Sequence, residues 1–108
     1  MTIRPGDFWV ADILFTNQSS SKKRPVLLLW LEGADAVVAA VTTSPPRTVT
    51  DLALVDWRAS GLRVTSTVRL SRLDCLEQSL LLFRLGAISS GDGQRLHQTW
   101  AQHIKPHF

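Results

Sequence analysis

The 108-residue sequence is long enough for one domain with its own hydrophobic core, and 44% of its residues are apolar. Its net charge of +3 is compatible with a polyanionic partner. A single cysteine, Cys75, excludes an internal disulfide, and no apolar run approaches the roughly 20 residues that a membrane helix needs. The start MTIRPGDFWV lacks the pattern of a signal peptide. We therefore expect one domain over residues 1–108, in the cytoplasm and away from membranes.

The first half of the chain predicts three strands and a basic cluster. The strands are FWVADILF (8–15), VLLLWL (26–31) and AVVAAVTT (36–43). VLLLWL is apolar on both faces, which is typical of a central strand. It is preceded by the polar loop TNQSSSKK (16–23), Arg24 and Pro25. Because proline lacks an N–H, we expect Pro25 to open this strand and not to lie inside it. The strand then serves as a rigid mount for Arg24.

The second half of the chain predicts shorter strands and one helix. The strands are DLALVD (51–56), VTSTVRLS (64–71) and LLLFRLGAI (80–88). WRASGL forms one helical turn that ends at Gly61. Ser89 or Ser90 caps the final helix, and Asp92 lies in its first turn. The buried stripe of this helix consists of Leu96, Trp100 and Ile104, which are spaced four apart. The expected fold is mainly β, a small antiparallel sheet closed by a C-terminal helix.

Five segments carry a resemblance to a known family. They are PGDFWVADILF, KKRPVLLL, VVAAVTT, DLALVDWRASGL and STVRLSRLDCLEQSLLLFRLGAIS, and they cover nearly the whole chain. In this order they resemble the PemK/MazF family of toxin endoribonucleases. The resemblance implies an SH3-like barrel on a twisted antiparallel sheet, as in PemK and CcdB, and a homodimer. It also implies cleavage of single-stranded RNA without a metal or other cofactor, and a cognate antitoxin that binds the same surface.

Cleavage of RNA through its own 2′-hydroxyl defines what the site must do. The attacking oxygen must be aligned, charge on the phosphoryl oxygens must be stabilised, and the leaving 5′-oxygen must receive a proton. Arg24 suits the second task, because a guanidinium is always charged and offers a planar fork to two phosphate oxygens. The resemblance also gives the matching arginine the general-acid role. Thr42 matches the family's catalytic threonine, and its hydroxyl can donate to a phosphate oxygen.

Further residues are candidates for binding RNA without catalysis. They are Lys22, Lys23, Thr43, Ser44 and Arg69. The two lysines attract RNA through charge, although solvated loop charges are the simplest alternative. Thr43 and Ser44 lie so close to Thr42 that a register shift of one residue would exchange their roles. Arg69 lies on the polar face of its predicted strand, where an ordinary exposed charge is the alternative.

The remaining aromatic and titratable residues are expected to be structural. Trp9, Trp30 and Trp100 lie in apolar patterns and suit a core or dimer interface, as does the run LLLF at residues 80–83. Trp57 is less well defined. The histidines at 97, 103 and 107 do not suit a metal site, because no Cys, Asp or Glu joins them. Cys75 has no basic partner nearby, so inert burial is expected.

Two alternative functions stay open at this point. One is a degenerate member that binds RNA or an antitoxin without cutting, and the other is a topoisomerase-poisoning toxin like CcdB. The C-terminal sequence QHIKPHF gives no basis for the second, while KKRPV is intact. The segment SPPRTVT is individual to this chain, so a cut sequence cannot be transferred from a relative.

Overall fold

The computed structural model describes residues 2–13 and 22–108, which form a six-stranded antiparallel sheet and a C-terminal helix. The elements are β1 (Asp7–Ile13), β2 (Lys22–Glu32), β3 (Asp35–Thr42), β4 (Asp51–Ala53), β5 (Thr67–Glu77), a 3-10 turn (Gln78–Leu80), β6 (Leu81–Ala87) and α1 (Ser90–His103). The strand order is β4-β5-β3-β2-β1-β6. The predicted class, mainly β with a C-terminal helix, is confirmed. Phe15 and residues 16–21 of the predicted loop lie outside the described residues.

Hydrophobic clusters cover both faces of the sheet. Neighbouring residues of a strand fall into different clusters, as the alternation of side chains in a strand requires. One cluster contains Phe8, Leu27, Ala39, Val68 and Leu70, and the other contains Trp9, Val26, Leu28, Val38 and Leu76. The apolar run of β2 is therefore buried on both faces, which confirms the prediction of a central strand.

Helix α1 covers the first cluster and begins where the sequence predicts. The hydroxyl of Ser89 accepts the backbone N–H of Asp92 at 3.1 Å, so Ser89 is the N-cap. Asp92 is 1% exposed, and its carboxylate accepts the N–H groups of Val55 and Asp56. Leu96, Trp100 and Ile104 pack on the first cluster. The helix is thus fastened both by its apolar stripe and by a buried carboxylate.

An ion pair joins the edge strand β6 to β1. Nε of Arg84 donates to Oδ2 of Asp7 at 2.9 Å, and the Asp7 side chain is only 7% exposed. The hydrogen bond and the charge of this carboxylate raise the pKa of Arg84. The aspartate of the Pro-Gly-Asp turn therefore has a structural role, which is to hold β6 in place.

The expectation that Pro25 opens β2 is wrong. The strand begins at Lys22, and the cations at 22, 23 and 24 are its first residues. The register with β1 runs through this part, with Ala11 opposite Arg24 and Val10 opposite Pro25. Pairing with β3 starts only at Val26. Because one side of the strand is unpaired at Pro25, a residue without an N–H is tolerated inside it.

Strand β5 differs from its prediction at both ends. It starts at Thr67, and Val64, which was expected on its buried face, is 51% exposed. It continues to Glu77, well beyond the predicted end at Ser71. Leu76 takes the inward position in the second cluster, so its neighbour Cys75 faces solvent. The expected burial of Cys75 is therefore wrong.

Within the described residues, no helix combines the length and the apolar character needed to span a membrane.

Candidate functional site

Arg24 and Thr42 lie at the same end of two neighbouring strands. β2 and β3 pair in one register from Leu28 opposite Val38 to Val26 opposite Ala40. Arg24 comes two residues before Val26 and Thr42 two residues after Ala40, so both lie just beyond this paired stretch. Both side chains line one groove of about 450 Å³. The two residues predicted to be catalytic are thus brought together by the sheet.

The groove runs across four adjacent strands and changes character along its length. Around the end of β3 and the start of β2, Thr42, Thr43 and Arg24 offer hydroxyl and guanidinium donors, beside a valine and a proline. At β1 and β6 it is lined by Val10 and Phe83, which are apolar. An anionic group therefore fits one end of the groove and a flat apolar group fits the other.

The remaining wall of the groove comes from the segment that leads into β5. This segment contributes Arg63, Val64 and Ser66, none of which belongs to a strand. The hydroxyl of Ser66 donates to the carbonyl of Val64 at 2.8 Å, a hydrogen bond within the wall segment. Arg63 is exposed and adds a second guanidinium to the groove.

Two glycines allow this wall to lie directly against β6. Gly61 has φ +89°, a conformation that side chains disfavour, and a Cβ there would collide with the carbonyl of Leu85. A Cβ at Gly86 would likewise collide with the carbonyl of Ser60. Residues 60 and 61 therefore contact β6 backbone to backbone. This contact fixes where the wall stands relative to the strand that carries Phe83.

The Thr42 hydroxyl is oriented by its own turn. Its Oγ1 accepts the backbone N–H of Ser44 at 3.2 Å. An oxygen that accepts from one side leaves its hydrogen to donate elsewhere, and Thr42 lines the groove. Thr43 is exposed and also lines the groove, whereas Ser44 does not. The turn thus favours Thr42 and Thr43 over Ser44 as groove donors.

The other predicted RNA-binding residues lie outside the groove. Lys22 and Lys23 are exposed on β2 just before Arg24. Arg69, on β5, is engaged with β4: its Nε donates to Asp51 at 3.4 Å, and Asp51 is 1% exposed at its side chain. Contacts of these three residues with RNA stay predictions.

Several groove residues were not found by sequence reasoning, among them Arg63, Ser66 and Phe83. Arg63 lies just before the predicted strand VTSTVRLS (64–71) and Ser66 lies within it, and no pattern in this strand indicated that it borders Arg24. Phe83 belongs to an apolar run that suggested a buried or dimer-forming surface, although its side chain is 53% exposed. Only the turn at Gly61 offered a local signal, and that signal does not tell which strand the turn contacts.

The tryptophans and the possible metal-binding side chains lie outside the groove. Trp9 is fully buried, while Trp30 is 38% exposed and meets Trp100 edge to face with ring centroids 6.0 Å apart. Trp57 packs against the first cluster. In residues 2–13 and 22–108, no group of three or more His, Cys, Asp or Glu is arranged to hold a metal ion.

Comparison with known proteins identifies the fold. No family model matches the chain, and no curated protein sequence does. Among solved structures, the Mycobacterium tuberculosis toxin MazF-mt6 is similar with a TM-score of 0.74 and 18% identity, over 94% of this chain and 99% of that one. An endoribonuclease from a Mycobacterial species, in complex with its cognate antitoxin, gives a TM-score of 0.75 at 17% identity over 95% of both chains. MazF from Deinococcus radiodurans gives 0.65 at 16% identity over 93% of both. The fold is therefore that of the MazF toxin endoribonucleases, as the sequence resemblance implied.

Proposed function

We propose that this protein is the endoribonuclease toxin of a type II toxin–antitoxin system and cleaves single-stranded RNA such as mRNA at a short sequence. The observation that carries the proposal is that Arg24 and Thr42, at one end of the adjacent strands β2 and β3, line the same groove. The fold supports it, because similar structures include proteins described as endoribonucleases and as MazF toxins.

In the proposed reaction the RNA supplies its own nucleophile. The 2′-oxygen attacks the adjacent phosphorus while the bond from phosphorus to the 5′-oxygen breaks. The 2′-hydroxyl loses its proton and the 5′-oxygen gains one, so the products are a 2′,3′-cyclic phosphate and a 5′-hydroxyl. Arg24 binds the phosphoryl oxygens as a fork, and Thr42 donates one further hydrogen bond. The cation that stabilises the phosphate is a side chain, so the reaction requires no metal ion.

The proposal is tested by incubating the purified protein with mixed single-stranded RNA in the presence of a chelator. We expect cleavage, with 2′,3′-cyclic or 3′-phosphate ends. A strict need for added divalent metal, or products with 5′-phosphates, would contradict the mechanism. Binding without cleavage would identify a degenerate member of the fold. Absence of both binding and cleavage would overturn the proposal and leave a protein-directed toxin.

An acidic antitoxin segment is the proposed protein partner. Lys22, Lys23 and Arg24 are consecutive and exposed, and such a surface attracts both an RNA backbone and an acidic peptide. Some similar structures are complexes with an antitoxin, including MazE–MazF from Deinococcus radiodurans. Peptide and RNA should therefore compete for this surface.

A competition titration with a non-cleavable RNA analogue tests the shared surface. The variant with Lys22→Glu and Lys23→Glu should bind both ligands more weakly, and added salt should weaken both. Lys105→Glu, an exposed lysine beyond α1, is the matched charge control. If peptide and RNA bind together without mutual loss of affinity, the shared-surface proposal fails.

A homodimer is the proposed assembly. Large apolar side chains stay partly exposed in the single chain, among them Trp30 (38%), Leu31 (40%) and Leu73 (40%). A two-fold interface would cover such surface and bring two grooves into one particle. Light scattering at micromolar concentration should give the mass of two chains, and a monomer mass would contradict the assembly.

A further inference from the structure

The apolar end of the groove contains an aromatic ring that the proposed chemistry does not use. Phe83 lies on β6, lines the groove and is 53% exposed. Its strand neighbour Leu82 is also exposed but does not line the groove. A large apolar ring that is half exposed inside a groove is a ready contact surface for a flat ligand.

The sheet register fixes the position of this ring relative to Arg24. Val10 pairs with Pro25 of β2 on one side and with Phe83 of β6 on the other. The β2 and β6 backbones are therefore separated by two strand spacings, or roughly 10 Å. Arg24 precedes Pro25 directly. A phosphate bound by Arg24 would thus place the base of its own or the neighbouring nucleotide within reach of the Phe83 ring.

The chemistry of the two ends matches the two halves of a nucleotide. A guanidinium binds the phosphate, and an aromatic ring stacks on the base. Stacking needs a base that is free of its neighbours, which single-stranded RNA offers and a duplex does not. A phenylalanine has no hydrogen-bonding group, so it holds a base without selecting which one. Arg63 and Thr43, which line the same groove, carry the hydrogen-bonding groups that telling one base from another requires.

We propose that Phe83 is the stacking platform for a nucleobase next to the scissile phosphate. The inference rests on the proposed function and deepens it. Phe83 positions the substrate, and the requirement for an unpaired base at this point restricts the substrate to single-stranded RNA.

The experiment measures the affinity of the protein for a non-cleavable RNA analogue that has a 2′-deoxy nucleotide at the cut site. If the protein cuts no RNA, the RNA that it binds most tightly is used instead. Phe83→Ala should weaken binding about tenfold or more, because it removes the stacked ring. Phe83→Trp should bind within about twofold of the wild type, since it keeps a ring. Leu82→Ala is the matched control and should bind like the wild type.

A second arm replaces each nucleotide of the analogue in turn by an abasic one. At one position, the abasic nucleotide should lower the affinity of the wild type about as much as Phe83→Ala does. The same abasic RNA should bind the Phe83→Ala protein no more weakly than the intact RNA does. The inference would be overturned if Phe83→Ala bound within twofold of the wild type. It would also be overturned if, at every position, the loss of affinity from the abasic nucleotide added to the loss from Phe83→Ala. A shift from dimer to monomer mass in Phe83→Ala would overturn it too, by assigning the ring to the subunit interface.

The failure of this inference can be told from the failure of the proposed function. If the wild type cuts RNA and Phe83→Ala cuts and binds equally well, only the stacking role falls. If the wild type neither binds nor cuts any single-stranded RNA, both proposals fall. Thermal unfolding of each variant shows whether lost binding reflects lost folding, and Phe83→Trp keeps the test decisive if Phe83→Ala does not fold.

Discussion

The carboxylate of Asp92, in the first turn of α1, accepts the backbone N–H of Asp56 at 2.9 Å, across 36 positions of sequence. The same carboxylate accepts the N–H of Val55 at 3.1 Å and a guanidinium N–H of Arg95 at 2.7 Å. Arg95 in turn donates to the carbonyl of Ala53 at 2.9 Å. A connected polar network therefore joins the helix to the segment after β4. This segment is the part of the chain that leads to the groove wall.

The first prediction concerns this network. Asp92→Asn should lower the free energy of unfolding by about 1–3 kcal/mol, because an amide has one acceptor oxygen and so loses one of the part-buried hydrogen bonds from Val55 and Asp56. Gln94→Ala, at an exposed position of the same helix, should change it by less than about 0.5 kcal/mol. Urea unfolding measures both. Equal stability of Asp92→Asn and the wild type would show that the network contributes nothing net.

The second prediction separates the groove chemistry from the fold. Arg24→Ala should abolish RNA cleavage while its unfolding midpoint stays close to that of the wild type, because the Arg24 side chain is exposed. Arg24→Lys should also cut poorly, since a point charge cannot supply the two-pronged contact. Lys105→Ala removes an equal charge outside the groove and should cut normally. If Arg24→Ala cut RNA at the wild-type rate, Arg24 would have no catalytic role.

The sequence was sufficient to predict the fold and to single out Arg24 and Thr42, which line one groove, but not the rest of that groove. The catalytic role of the two residues stays a prediction. Alternation in β1 and β2 and the cap at Ser89 are local patterns, so the strands and the helix could be read from them. Arg63 and Phe83 reach the groove through the close contact between Gly61 and Leu85. That contact depends on tertiary packing between segments far apart in sequence, and no local pattern encodes it.

The two wrong predictions, for Pro25 and Cys75, also concern features that depend on the whole sheet and not on local sequence. Pro25 was excluded from a strand interior by a rule for fully paired strands, but β3 pairs with β2 only from Val26 onward. Cys75 was expected to be buried because no basic partner lies near it in sequence, but Leu76 occupies the inward position. Which side of a strand is paired, and which residue faces the core, is decided by the register of the whole sheet.

The third prediction concerns the reactivity of Cys75, which is exposed yet not activated. Loss of water around the sulfur, and then the charges of Asp35, Glu32 and Asp74, raise the pKa of its thiol. A raised pKa means less thiolate at any pH below it, so alkylation by iodoacetamide should be slower than for free cysteine at neutral pH. The rate should keep rising at pH values where free cysteine has levelled off.

Asp74→Asn is the matched variant for this thiol. Asp74 accepts the backbone N–H of Cys75 at 2.9 Å, and the amide keeps that shape without the charge. The pKa of the Cys75 thiol should fall only slightly, because the loss of water around the sulfur and the two other carboxylates remain, and alkylation near neutral pH should become somewhat faster. Cys75 alkylated in the wild type as fast as free cysteine would contradict the raised pKa, and an unchanged rate in Asp74→Asn would show that this carboxylate does not contribute to it.

The fourth prediction joins the fold to the groove through Gly61. Gly61→Ala should destabilise the protein by about 2–4 kcal/mol, because the new Cβ would meet the Leu85 carbonyl and φ is +89°. The clash can be relieved only by moving the wall away from β6, so cleavage should fall further than the unfolded fraction explains. Gly33→Ala is the control: φ there is +57°, nothing lies within 4 Å of its Cβ position, and the cost should be only about 1 kcal/mol, with cleavage unchanged. Urea unfolding and single-turnover cleavage, both measured on folded protein, check the two variants. Similar losses in both would mean that backbone conformation alone matters and that the contact with Leu85 does not position the wall.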